Sequence, residues 1–131
     1  MKLNTTSQYA IRIMEFIVKD QNKLYHAKKI SEQLTIPYKY LSKIMTMLSH
    51  AELIQSIQGR KGGYTIVKDP SSIKLIEILE AVEECIDSQN CILGTGLCSV
   101  TKKCSLHNTW KKPKKEIFDM FSETTLSQMI S

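Results

Sequence analysis

No cysteine occurs in the first 84 residues of this 131-residue chain, and its whole length holds only five glycines, three prolines and one tryptophan. So little glycine and proline excludes a collagen-like or low-complexity chain, and the apolar share is that of an ordinary globular domain. No apolar run approaches the roughly 20 residues that cross a bilayer as a helix. The opening residues, Met1-Lys-Leu-Asn-Thr-Thr6, lack the apolar core and small-residue cleavage site of a secretory signal. A cytoplasmic protein is therefore expected, in a compartment where thiols stay reduced. Catalytic signatures are missing too. There is no Cys-x-x-Cys pair between strand and helix, no glycine-rich phosphate fingerprint and no nucleophile beside a base. His26 and His50 stand alone, in places suited to surface or capping roles. An enzyme such as a thiol oxidoreductase is not expected.

What is present is unevenly distributed. Residues 1–68 carry eleven Lys and Arg against four Asp and Glu, and residues 69–131 carry seven against nine, within a net charge of +5. A basic first half fits a polyanionic partner, because neutralising phosphates drives non-specific nucleic-acid binding.

Along that half, Thr5-Thr-Ser7 reads as a helix start, with side-chain oxygens for the first amides. From Ser7 to about Lys19, Tyr9, Ala10, Ile13, Met14, Phe16 and Ile17 recur at helical spacing. Asp20 to Lys23 forms a polar turn. A second helix is expected over His26–Leu34, with Ala27, Ile30 and Leu34 inward. Thr35-Ile-Pro37 turns the chain, with Pro37 as first residue of a third helix that runs to His50 and buries Leu41, Ile44, Met45 and Leu48. Helix, short turn, helix reads as a helix-turn-helix. The third helix opens on Tyr38, Lys39, Tyr40, Ser42 and Lys43, residue types that hydrogen-bond to phosphates and base edges. Tyr9 on the first helix and Lys28 and Lys29 on the second join them as candidate DNA contacts.

Two short β-type runs follow, 53–57 and 64–67, separated by Gln58-Gly-Arg60-Lys61-Gly-Gly63. A hairpin with a basic tip directly after a helix-turn-helix makes a wing, with Arg60 and Lys61 placed for the minor groove or the backbone. Pro70-Ser-Ser72 caps a fourth helix, about Ile73 to Glu84, with Leu75, Ile78, Leu79 and Val82 as its core stripe. Its outer face, Glu77, Glu80, Glu83 and Glu84, is expected to point away from DNA or to meet a partner subunit's basic residues. Cys85 reads as structural.

Beyond it Cys91, Cys98, Cys104 and His107 fall within seventeen residues, on a stretch that includes Gly94 and Gly96. Bunched thiolates on a glycine-containing loop suit a soft metal or an iron–sulfur cluster. Lys102 and Lys103 favour the deprotonated thiolate of Cys104. A long amphipathic helix is expected from about Ser105 to Ser122, carrying Trp110, Ile117, Phe118 and Phe121, a basic run at 111–115, and Pro113 as the site of a bend. Such a helix on a small winged domain pairs with its own copy, since palindromic DNA is read by two-fold dimers. Residues 124–130 form a terminal turn packing back on the body.

Thr6-Ser-Gln-Tyr-Ala10, Tyr40-Leu-Ser-Lys-Ile44, Gly59-Arg-Lys-Gly-Gly-Tyr64, Ile73-Lys-Leu-Ile-Glu-Ile78 and Cys104-Ser-Leu-His-Asn-Thr-Trp110 together resemble one family. It is the winged-helix regulators that include the iron–sulfur regulator IscR and the nitric-oxide-sensing repressor NsrR. The resemblance spans nearly the whole chain. It implies a mainly α fold with a small β-hairpin wing: a winged helix-turn-helix over 1–84, a cysteine-rich loop over 85–107, and a dimerisation helix with its tail over 108–131. It also implies a homodimeric regulator, such as a repressor, whose operator binding responds to an iron–sulfur cluster and so to iron–sulfur or iron status, redox or nitric oxide. Cys91, Cys98 and Cys104 match the family's three cysteine ligands and His107 the fourth ligand of the IscR-like branch. A [2Fe–2S] cluster is favoured and [4Fe–4S] is the alternative, because six residues separate Cys91 from Cys98 where IscR-like members have five. In the nitric-oxide branch a carboxylate of the partner's first helix is a ligand; Gln8 stands at that position here, and Glu15 is the nearest substitute. Rival readings of the same loop are a structural zinc and a metal-free thiol switch.

Overall fold

The computed structural model describes residues 3–19, 23–83 and 105–130. The first helix, α1 (Thr5–Lys19), starts two residues earlier than the expected Ser7. Its cap is Asn4, whose side-chain oxygen accepts the Ser7 amide hydrogen at 2.8 Å. Ser7, expected as part of the cap, is instead fully buried inside the helix. Ala10, Ile13, Met14, Ile17 and Val18 form the inward stripe. Helix α2 (Ala27–Leu34) and helix α3 (Tyr38–His50) follow. Pro37 sits one place before α3, with an extended ψ of 132° and its carbonyl accepting from Leu41 at 2.9 Å. It therefore presets the entry to the helix without being its first turn.

Strands β1 (Ile54–Ile57) and β2 (Gly63–Ile66) pair antiparallel, with Ile54 opposite Ile66 and Ile57 opposite Gly63. Tyr25, just before α2, bridges to Tyr64 and ties the hairpin to the helices. A 3-10 turn at Pro70–Ser72 is capped by Asp69, whose carboxylate accepts from the Ser71 amide and hydroxyl.

The expected helix from Ile73 to Glu84 is shorter. Helix α4 spans Leu75–Ala81, and Glu83 beyond it has a left-handed φ of 63°. The stretch before α4 is extended because it pairs with a distant one: Lys74 bridges to Thr125, and the Ile73 carbonyl accepts from Leu126 at 2.8 Å. Long helix α5 (His107–Glu123) continues through Pro113, and α6 (Leu126–Ile130) turns back onto α1.

One core cluster joins α1, α2 and α3 to β1, α4 and α6, with Ile13, Met14, Ile30, Leu41, Leu48, Ile73, Ile78 and Leu126 at or below 1% exposure. Burying each such side chain contributes about 1.5–3 kcal/mol. A smaller cluster of Leu75, Leu79 and Phe121, with Ile117 beside it, fastens the C-terminal half of α5 to α4.

Candidate nucleic-acid interface

The turn between α2 and α3 is stitched by short polar contacts. Thr35 adopts a left-handed backbone, φ 54° and ψ 48°, and its amide donates to the Ser31 carbonyl. The Ile36 amide donates to the same carbonyl at 3.1 Å, and the Ser31 hydroxyl donates to the Ile36 carbonyl. Arg12 reaches across from α1 and donates to the Leu34 carbonyl at 2.8 Å.

From this turn α3 projects Tyr38, 53% exposed, with Lys39 and Lys43 also exposed and Ser42 half-buried. The Thr46 hydroxyl donates to the Ser42 carbonyl at 3.0 Å one turn further on. Tyr40 differs. It is half-buried, its hydroxyl hydrogen-bonds the Thr6 hydroxyl, and its ring meets Tyr9 edge-on with centroids 5.4 Å apart. The Arg12 guanidinium lies 5.9 Å from the Tyr9 ring centroid. Sequence reading passed over Arg12, because a lone arginine on the polar face of a helix gives no signal that it crosses to another helix.

At the wing, Arg60 and Lys61 occupy the exposed tip. The tip closes through the Gly62 amide on the Gly59 carbonyl at 3.1 Å, and Gly59 has a φ of 108° that favours glycine. Gly63 has φ 146°, and a Cβ there would lie 2.7 Å from Tyr25 backbone atoms, so only glycine lets the hairpin approach α2. Between the wing and the start of α2 lies an open cleft of about 350 Å³ lined by His26, Lys28, Tyr38, Ser56, Gln58 and Tyr64. Lys28 and Lys29 are exposed; Glu32 brings a carboxylate to the edge of a neighbouring hollow that also holds Lys28 and Tyr38. The wing, the first turns of α2 and the start of α3 thus share one predominantly basic surface. His26 precedes α2 without a side-chain capping bond and His50 ends α3; both are exposed.

On α4, Glu77 faces its own chain. Its carboxylate accepts from the Lys74 amide at 2.7 Å and pairs with Lys68, at the wing's exit, at 3.0 Å. That corrects the expectation of a purely outward acidic face. Partial burial raises the Glu77 carboxyl, but the Lys74 amide and the Lys68 ammonium outweigh it and hold it below its ordinary value.

Cys85, Cys91, Cys98 and Cys104, like Glu84, Lys102 and Lys103, lie outside the described residues. His107 opens α5, and its side chain is likewise outside them. Among the described residues no three His, Cys, Asp or Glu side chains are grouped to hold a metal. The Gln8 amide donates to the Leu3 carbonyl at 2.7 Å, so it serves the entry to α1, and Glu15 is half-buried on the same helix.

A helix-turn-helix with a basic reading face and a hairpin beside it defines a winged-helix protein. The sequence profile of the Rrf2 family, described as an iron-dependent transcriptional regulator, matches residues 3–131, and the chain belongs to that family. It is a DNA-binding transcriptional regulator and not an enzyme. The HTH-type transcriptional regulator IscR of Vibrio vulnificus is 30% identical over all of this chain and 78% of its own length. Among solved structures, T. potens IscR shares 26% identity and a TM-score of 0.76 over 99% of this chain and 86% of its own. The B. subtilis cysteine regulator CymR superposes with a TM-score of 0.84 at 21% identity, over 99% of this chain and 96% of its own, which speaks for the fold. Among the described residues no helix is long and apolar enough to cross a membrane.

Proposed function

We propose that this regulator binds a palindromic operator as a cytoplasmic homodimer and that an iron–sulfur cluster on its cysteine loop controls the binding. Cys91, Cys98, Cys104 and His107 would hold the cluster, [2Fe–2S] in preference to [4Fe–4S]. Three thiolates and one imidazole are a donor set such a cluster accepts. When bound, it supplies a redox-active centre with one weakly held, replaceable ligand. DNA contacts come from Tyr38, Lys39, Ser42 and Lys43 on α3, Lys28 and Lys29 on α2, and Arg60 and Lys61 on the wing, whereas Tyr9 and Tyr40, half-buried against each other, support that surface from behind. Residues 1–84 read DNA, 85–107 sense, and 108–131 dimerise through α5.

The observation that carries this reading is the loop's place in the chain. It joins α4, which Glu77 ties to the wing, to α5, which Phe121 ties to α4. A change in what the loop holds therefore acts where the reading half meets the pairing helix, and shifts the population of dimers with correctly spaced recognition helices. Anaerobic purification with iron and acid-labile sulfide quantitation tests it, repeated on Cys98→Ala and His107→Ala. Iron and sulfide in the wild type, lost in Cys98→Ala, are expected. A colourless zinc protein, a disulfide-linked loop without metal, or full cluster content in Cys98→Ala would each refute it.

A further inference from the structure

Thr35 is a β-branched residue in the left-handed region, a backbone state rare for its type that persists only where its surroundings impose it. Ser31 imposes it from inside the turn. Arg12 imposes it from another element, by its bond to the Leu34 carbonyl, where a cation also complements the negative end of α2. Thr6, Tyr9 and Arg12 recur every third residue, which places them side by side along α1. All three engage the reading head: Thr6 holds the Tyr40 hydroxyl, Tyr9 abuts the Tyr40 ring, and Arg12, over the Tyr9 ring, holds the turn that launches α3.

We propose that Thr6, Tyr9 and Arg12 form a clamp that fixes the direction of the recognition helix, with Arg12 and Tyr40 acting as positioning residues and not as DNA contacts. Base edges are read by hydrogen bonds that fail when the helix pivots, whereas phosphate attraction tolerates a loose helix. The clamp therefore governs sequence discrimination and leaves non-specific affinity alone.

The probes are a duplex selected by the wild-type protein from a random-sequence pool and a scrambled duplex of the same composition. Both are titrated over a range of salt against wild type, Arg12→Ala, Arg12→Lys and Tyr40→Phe, purified identically. Arg12→Ala is expected to lose about tenfold in affinity for the selected duplex. The scrambled duplex should change by less than about twofold, with an unaltered slope of log affinity on log salt. Arg12→Lys recovers part of the loss, because it keeps the charge and a donor but not the flat group over Tyr9. If Arg12→Ala weakens both duplexes alike and flattens the salt slope by about 0.9, Arg12 is a phosphate contact and the clamp is refuted. Unchanged binding refutes it as well. Should Arg12→Ala fail to fold, Tyr40→Phe decides, since it keeps the ring and removes only the hydroxyl. A selective loss on the selected duplex upholds the clamp, and wild-type affinity overturns it.

Discussion

Gly63 and Thr35 meet the same backbone demand in opposite ways. Gly63, at φ 146°, is free of the penalty and makes room for Tyr25. Gly63→Ala is expected to cost about 2–4 kcal/mol through backbone strain and the contact with Tyr25, read as a lower urea midpoint. Thr35 bears the penalty, so Thr35→Gly should gain: relief of about 1–2 kcal/mol, offset by about 0.5–1 kcal/mol of added freedom in the unfolded chain, leaves a small rise in the same midpoint. A lower midpoint would mean that the threonine side chain contributes more to the turn than its backbone state costs. At this scale the sequence was partly legible. Pro37 marked the turn and the Gly59–Gly63 stretch marked the wing, because proline and glycine state their backbone needs outright. Arg12 was invisible, because its partner is a carbonyl 22 residues away on another helix.

The elements followed their patterns where burial decides and departed where a distant segment does. The stripes of α1 and α3 named most of their buried residues. The start of α1 was ambiguous because Asn4, Thr5, Thr6 and Ser7 all cap helices, and hydrogen bonding chose Asn4. Helix α4 starts two residues later than expected, at Leu75, because Lys74 bridges to Thr125, a partner no local periodicity reveals. The Glu77 contacts give α4 a pH signature. A carboxyl held below its ordinary value of 4.5 stabilises the fold above that pH, and the contribution is lost as pH falls through the folded value. Glu77→Gln should therefore be less stable than wild type near neutral pH, with the difference closing as pH falls from 4.5 through the folded value. A constant difference across that range, in urea titrations at stepped pH, would mean that the carboxylate's charge is not what matters. At the wing, Arg60→Ala is expected to flatten the salt slope of DNA binding by about 0.9, on selected and scrambled duplexes alike.

For the whole molecule, winged-helix architecture was legible because helix-turn-helix and hairpin signals came in order, whereas the cysteine loop's chemistry rests on residues outside the described ones. The N-terminal half of α5 keeps Trp110 half-buried against its own chain, while Leu106 and Met120 are 40% and 50% exposed. If α5 is the pairing helix, Trp110→Asp should shift sedimentation from dimer toward monomer and weaken selected-duplex binding more than scrambled. A dimer that survives would place the pairing surface elsewhere. Leu126→Ala should cost about 2–5 kcal/mol in urea denaturation, because Leu126 is fully buried in the main core.

That leucine also sets an order of events during synthesis. The core around α1 needs Leu126, and the bridge from Lys74 needs Thr125. Chains emerge N-terminus first at about 5–20 residues per second. The DNA-reading half therefore waits several seconds, incomplete, for residues made almost 60 positions after the wing. A chain therefore completes the packing of its reading head only after residues 85–107 have been made, so every fully packed winged helix already carries its cysteine loop.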